Sequence, residues 1–113
     1  MALYGENTVH MWANVNTKAG QETIRDSYNL TSLTETADGR WIFGFATAAI
    51  NNDYAVAAMS GNQTGTTTAP RAQNPDNTWA TTGFRIRNMN VDGWSTGTAV
   101  EDSQITVICC ADT

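Results

Sequence analysis

The pattern that most restricts this chain is a period of two. Trp41, Phe43 and Phe45 alternate with Arg40, Ile42 and Gly44, and Ile105, Val107 and Cys109 share one side of 103–110. Val9, Met11, Ala13 and Val15 likewise alternate with His10, Trp12, Asn14 and Asn16. Tyr54, Val56 and Ala58 share a side of 53–59, and Phe84 and Ile86 oppose Arg85 and Arg87 over 83–90. Successive side chains of a strand point to opposite faces, so each run reads as a strand with one buried side. Helical spacing is hard to find: 19–28 holds a single apolar residue of note, Ile24, too little for a core-facing stripe. Threonine, about one residue in six, strengthens the bias, because its β-branch restricts χ1 and suits strands and turns.

Turn residues punctuate these runs. Asp38-Gly39 divides a Leu30–Thr36 strand from the Trp41 strand, a hairpin signature because both central residues must tolerate positive φ. Asn51-Asn52-Asp53 and Asp92-Gly93 read as further turns, and 60–78 reads as a long polar loop carrying both prolines, Pro70 and Pro75. Loops of that length are usually functional, mobile or ordered against a neighbouring subunit. Six to eight strands at roughly ten-residue spacing predict a small antiparallel β-sandwich or jelly-roll-like all-β fold. The expected organisation is one domain over 1–113, with an N-terminal arm at 1–8.

Charge narrows the partners. The net charge is −5 and charged residues make up 15% of the chain, so the surface is polar but largely uncharged, and nucleic acid, which selects basic patches, is not expected. Apolar runs fall well short of the roughly 18 residues of a membrane span, and the first ten residues, MALYGENTVH, lack the basic and apolar regions of a signal peptide. Synthesis in the cytoplasm is expected, with no membrane partner. Cys109 and Cys110 are adjacent, which suits neither a disulfide framework nor a zinc site and predicts two reduced thiols ending a strand.

Arg25, Asp26, Ser27, Tyr28 and Asn29 form the densest run of hydrogen-bonding groups, and with His10 upstream they invite a hydrolase reading. The geometry resists it. Asp26 neighbours Ser27, and adjacent strand residues face opposite ways, so Asp26 cannot orient a histidine that activates Ser27. Ser27 also lacks the G-x-S-x-G setting of a strained nucleophile. Most of the acids that a glycosidase pair would need fall at turns, where carboxylates usually bond nearby backbone. Neither a metal-ligand cluster nor a phosphate loop is evident. The expectation is a non-enzymatic protein without a cofactor.

Residue order adds a resemblance. Trp12-Ala13-Asn14-Val15-Asn16, then Ile24 through Thr34 (IRDSYNLTSLT), then Gly39-Arg40-Trp41-Ile42-Phe43-Gly44-Phe45, then Asn52-Asp53-Tyr54-Ala55-Val56 resemble in series a β-sandwich domain common at the ends of bacteriophage tail fibres. Phe84-Arg85-Ile86 and Ile105–Ile108 resemble its last two strands, so the likeness runs from about residue 10 to 110. In the first strand Asn14, Val15 and Asn16 depart from the commoner aromatic pattern. The resemblance implies a virion protein, a homotrimer, and partners among phage capsid or tail proteins. Fibre domains usually follow a long shaft; read as a free-standing copy starting near Met1, the chain is expected to be a capsid decoration (cement) protein on the major capsid protein, ahead of a tail-fibre tip that recognises the host surface. A host glycan is the expected ligand of such a tip, and a carbohydrate-binding module is a third reading. Candidate partner contacts are Trp12, Trp79, Trp94, Pro70 and Arg71, because aromatics and arginines outside a core anchor interfaces. For the run at 25–29 the expectation is a fold-determining corner. In it Ile24 and Tyr28 anchor into the core, Arg25 and Asp26 make charge-assisted hydrogen bonds, and Ser27 and Asn29 satisfy backbone groups.

Overall fold

In the computed structural model, which describes residues 7–18, 20–37, 39–62, 68–73, 79–90 and 103–112, eight strands follow one another among the described residues. They are β1 Asn7–Asn16, β2 Thr23–Tyr28, β3 Leu30–Ala37, β4 Arg40–Phe45, β5 Ala55–Asn62, β6 Thr68–Gln73, β7 Gly83–Asn90 and β8 Ser103–Asp112. They form two four-stranded sheets, sheet A in the order β2-β1-β8-β5 and sheet B in the order β3-β4-β7-β6. Every pairing is antiparallel. The first strand lies beside the last and β4 beside β7, the nesting of a jelly roll, with β2 and β3 added at one edge of each sheet. The all-β sandwich expected from alternation is the observed fold.

The alternating runs supply the interior. Met11, Ala13 and Val15 of β1 and Ile105, Val107, Cys109 and Ala111 of β8 come from sheet A, facing Trp41, Phe43, Phe45, Phe84 and Ile86 from sheet B. Sheet B carries the aromatic rings and sheet A mostly aliphatic side chains, and the two inner faces pack into one core. The rings stack or meet edge to face: Phe43 on Phe84 at 5.4 Å, Phe45 against Tyr54 at 5.6 Å, Tyr54 on Trp79 at 5.2 Å. β3 and β4 form the expected hairpin, with Ala37 opposite Arg40 and Gly39 at φ 68°, while Asp38 lies outside the described residues.

Three expectations are corrected. The stretch 60–78 is not one long loop: β5 continues to Asn62, and Thr68–Gln73 is the edge strand β6. An edge strand needs no hydrophobic period, because ladder bonds to one neighbour hold it. Pro70 is tolerated there, since the missing N–H costs nothing on an unpaired side. Asn7 and Thr8 belong to β1 rather than to an N-terminal arm, because they already pair with Asp112 and Ala111, and 1–6 lie outside the described residues. The alternation of β1 also breaks at His10, where a register shift between Val9 and Met11 turns the His10 ring edge-on to Phe45 at 4.8 Å. The Asp92-Gly93 turn and the rest of 91–102 lie outside the described residues.

Cys109 sits in the core between β1 and β5, opposite Met11 and Val56, while Cys110 lies on the other side of β8 and is half-buried. Burial, with the neighbouring Cys110 adding to it, pushes the Cys109 thiol from its ordinary 9.0 up to about 12. The folded state therefore keeps a proton that the unfolded chain releases, and the sign follows: stability is unaffected below pH 9 and falls between pH 9 and 12. Cys109 contributes at most about 1.4 kcal/mol per pH unit to that loss. Native alkylation with iodoacetamide is expected to label Cys110 and spare Cys109 until the protein unfolds, as read by mass spectrometry. Cys109→Ala is expected to flatten the early part of the alkaline decline.

Candidate interaction surface

The corner at 25–29 is built on one residue. β2 belongs to sheet A and β3 to sheet B, and Asn29 alone separates them. It takes φ 54°, the one positive φ outside glycine among the described residues, in a region that asparagine tolerates better than most side chains. It then ties the corner to two other parts of the chain, β1 and the 46–47 segment. Oδ1 accepts the Thr47 N–H at 2.7 Å, Nδ2 donates to the His10 carbonyl at 2.9 Å and to the Thr47 carbonyl at 3.2 Å, and the Asn29 carbonyl accepts Ala46 N–H at 3.0 Å. The His10 ring joins the group. Nε2 donates to the Thr47 carbonyl at 2.9 Å in the tautomer protonated there, and Asn29 Nδ2 lies 3.2 Å from the same nitrogen.

The other members of the run hold only their surroundings. Arg25 Nη1 donates to Gln104 Oε1 at 3.2 Å, and Gln104 Nε2 donates on to Asn14 Oδ1 at 2.9 Å. Asp26 Oδ1 accepts the N–H of its neighbour Ser27 at 2.9 Å. His10 is thus brought to Asn29 and Thr47, whereas Ser27 pairs with Ala13 and Asp26 with Asn14 along the strand. Ile24 and Tyr28 do not anchor in the core: they are 37% and 56% exposed. Tyr28 pairs directly with Trp12, which points outward, and directly opposed residues share a face. Ile24 lies at the open edge of sheet A, beside a register shift at Asn14/Val15.

That outward turn creates a surface which alternation alone does not reveal. The register aligns Tyr28, Trp12, Ile108 and Ala57 in one row across all four strands of sheet A, with Met59 in the next row. Trp12 and Ile108 are about two-fifths exposed, and Met59 is 76% exposed. At neighbouring-strand spacing of about 4.8 Å the row spans roughly 14 Å. Towards the other end of the same face the row gives way to Asn14, Thr106, Asn16 and Gln104, so the band is apolar at one end only. Beside Tyr28 an open cleft of about 370 Å³ is lined by Thr8, Val9, His10, Tyr28, Asn29 and Thr47. The corner residues His10, Asn29 and Thr47 line it together with Tyr28, the one member of the row that reaches it.

The remaining candidate contacts are placed differently. Trp79 stacks on Tyr54 and packs against the core, with its Nε1 buried and without an acceptor among the described residues; it covers one end of the sandwich. Pro70 and Arg71 belong to β6, opposite Asn88 and Arg87, rather than to a loop. Trp94 lies outside the described residues. Among the described residues no three His, Cys, Asp or Glu stand close enough together to hold a metal ion. No family model matches this chain, and neither a curated protein nor a solved structure matches it.

Proposed function

We propose that this chain is a non-enzymatic structural protein of a bacteriophage virion, a capsid decoration protein that docks on the major capsid protein through the outer face of sheet A. The observation that carries the proposal is the exposed row Tyr28–Trp12–Ile108 with Met59 beside it. Contiguous apolar surface on a small domain marks a site that something covers, and tryptophan and tyrosine are the commonest anchors of protein interfaces. Burying either ring fully is worth about 2–3 kcal/mol. The series of motifs resembling phage fibre-end domains supplies the particle, and the same resemblance supports a homotrimer as the docking unit.

Sedimentation of purified protein with tail-free heads tests this reading. Wild type is expected to co-sediment, and the double variant Trp12→Ala, Tyr28→Ala is expected to lose binding by about a hundredfold, from two anchors at roughly 1.4 kcal/mol each. Because both side chains are largely outside the core, the same variant is expected to lose less than about 1 kcal/mol of stability. Light scattering of free wild type is expected to give a trimer. Absence of the protein from heads and its recovery with tail fibres would replace decoration by the fibre-tip reading.

A further inference from the structure

Sheet B has an outer face of opposite character. Arg40 of β4 stands directly opposite Arg87 of β7, which stands directly opposite Arg71 of β6, and Arg85 lies two residues from Arg87 on the same side of β7. Four of the chain's six basic residues are thereby gathered by register on one sheet, in a chain whose net charge is −5. Like charges directly opposite one another on a sheet destabilise it. The Nε atoms of Arg40 and Arg87 are each buried without a hydrogen-bond partner among the described residues. Glu35, the acid of β3, pairs with Trp41, whose ring faces the core, so its register puts it on the other side of the sheet.

We infer that this arginine row is a binding site for a short acidic segment of a partner protein, which supplies carboxylates to Arg40 and Arg87. Guanidinium groups present planar forks that match carboxylates two bonds at a time. The row crosses three strands and so spans only about 10 Å. The chain as a whole carries a net charge of −5, and at about 8 Å screening length a polyanion longer than the row meets that net repulsion. A nucleic acid or an extended anionic polysaccharide is repelled where a compact cluster of carboxylates is not. The site is independent of the apolar row on sheet A, because the two lie on opposite outer faces of the sandwich.

Fluorescence anisotropy with a fluorescein-labelled hexaglutamate peptide tests the inference at low salt. Wild type is expected to bind, and Arg87→Gln or Arg40→Gln is expected to weaken binding by about tenfold, the value of one charge-assisted contact. Arg25→Gln, which removes an arginine from sheet A, is expected to change it by less than about twofold. Arg87→Lys keeps the charge and loses the fork, and a weakening between these limits is expected. In the absence of peptide, Arg87→Gln is expected to melt at or above the wild-type temperature, because it relieves repulsion; a merely structural arginine would lower it. The inference is overturned by no binding up to millimolar peptide, by Arg25→Gln weakening binding as much as Arg87→Gln does, or by a six-nucleotide oligothymidylate that binds more tightly than hexaglutamate.

Discussion

Gly83→Ala is expected to cost roughly 3 kcal/mol of stability and to lower the melting temperature by about 12 °C. A Cβ at this position collides with the carbonyl oxygen of Phe43 and comes within 3.2 Å of its carbonyl carbon. Those atoms are backbone in the centre of sheet B, so the collision cannot be relieved by a rotamer change. Gly83 also opens β7, opposite Gly44, and closes a tight turn with Ala80 through bonds of 2.9 and 3.1 Å. The Tyr54 hydroxyl caps that turn, shared between the carbonyls of Gly83 at 2.8 Å and Ala80 at 3.0 Å. Pushing β7 away from β4 therefore also disturbs the ring cluster of Tyr54, Phe45 and Phe84. Thermal unfolding followed by near-UV circular dichroism would report both effects, and a variant as stable as wild type would refute the close approach of the two strands.

The second large effect is expected at Asn29. Asn29→Ala removes the side-chain bonds to His10 and Thr47 and forces alanine to φ 54°, for a combined loss of about 3 kcal/mol. Asn29→Gly keeps the backbone conformation without strain and loses only the bonds, so a loss of about 2 kcal/mol is expected. Asn29→Asp separates donor from acceptor. It retains an acceptor for the Thr47 N–H but aims a second carboxylate oxygen at the carbonyls of His10 and Thr47. At neutral pH this variant is expected to be the least stable of the three. It should recover in acid, because protonation creates an O–H that can donate to one of those carbonyls. The favoured neutral form means a raised carboxyl pKa, so stability is present at low pH and lost as pH rises. Urea titrations at two pH values would read this directly. Equal stability of Asn29→Gly and wild type would show that the corner depends on backbone conformation alone.

Both positions illustrate how differently the two kinds of information are stored. The burial of Trp41, Phe43 and Phe45, of Phe84 and Ile86, and of Ile105, Val107 and Cys109 was legible without a structure, because alternation is a property of neighbouring residues. The hairpin at Asp38-Gly39 was legible for the same reason. The run at 25–29 was recognisable as a corner, and Asn29 satisfies backbone groups there as expected, whereas Ile24 and Tyr28 turn outward rather than into the core. Arg25 and Asp26 bond only Gln104 and Ser27, while Asn29, an uncharged amide, makes the contacts that join β1, the 46–47 segment and the two sheets. The signal available for it was an asparagine between two strand-forming runs, a position suited to left-handed backbone. β6 went unrecognised because Thr68–Gln73 carries no hydrophobic period, and an edge strand needs none.

The sequence by itself determined the class of fold, the identity of most of the core and the position of the β3–β4 hairpin. It also carried the motif series on which the proposed virion role rests. Only the tertiary structure decided what the outer faces are. Trp12 and Ile108 come from opposite ends of the chain and meet because β1 pairs with β8, and Tyr28 joins them because the β1–β2 register sets it directly opposite Trp12. Arg71, Arg87 and Arg40 lie on three separate strands and become one row through two antiparallel registers. A period of two states which residues share a side of their own strand; it does not state which strands become neighbours or how far each is shifted. Those quantities depend on closing long loops and filling a common core, and from them come the apolar row on one face and the cationic row on the other.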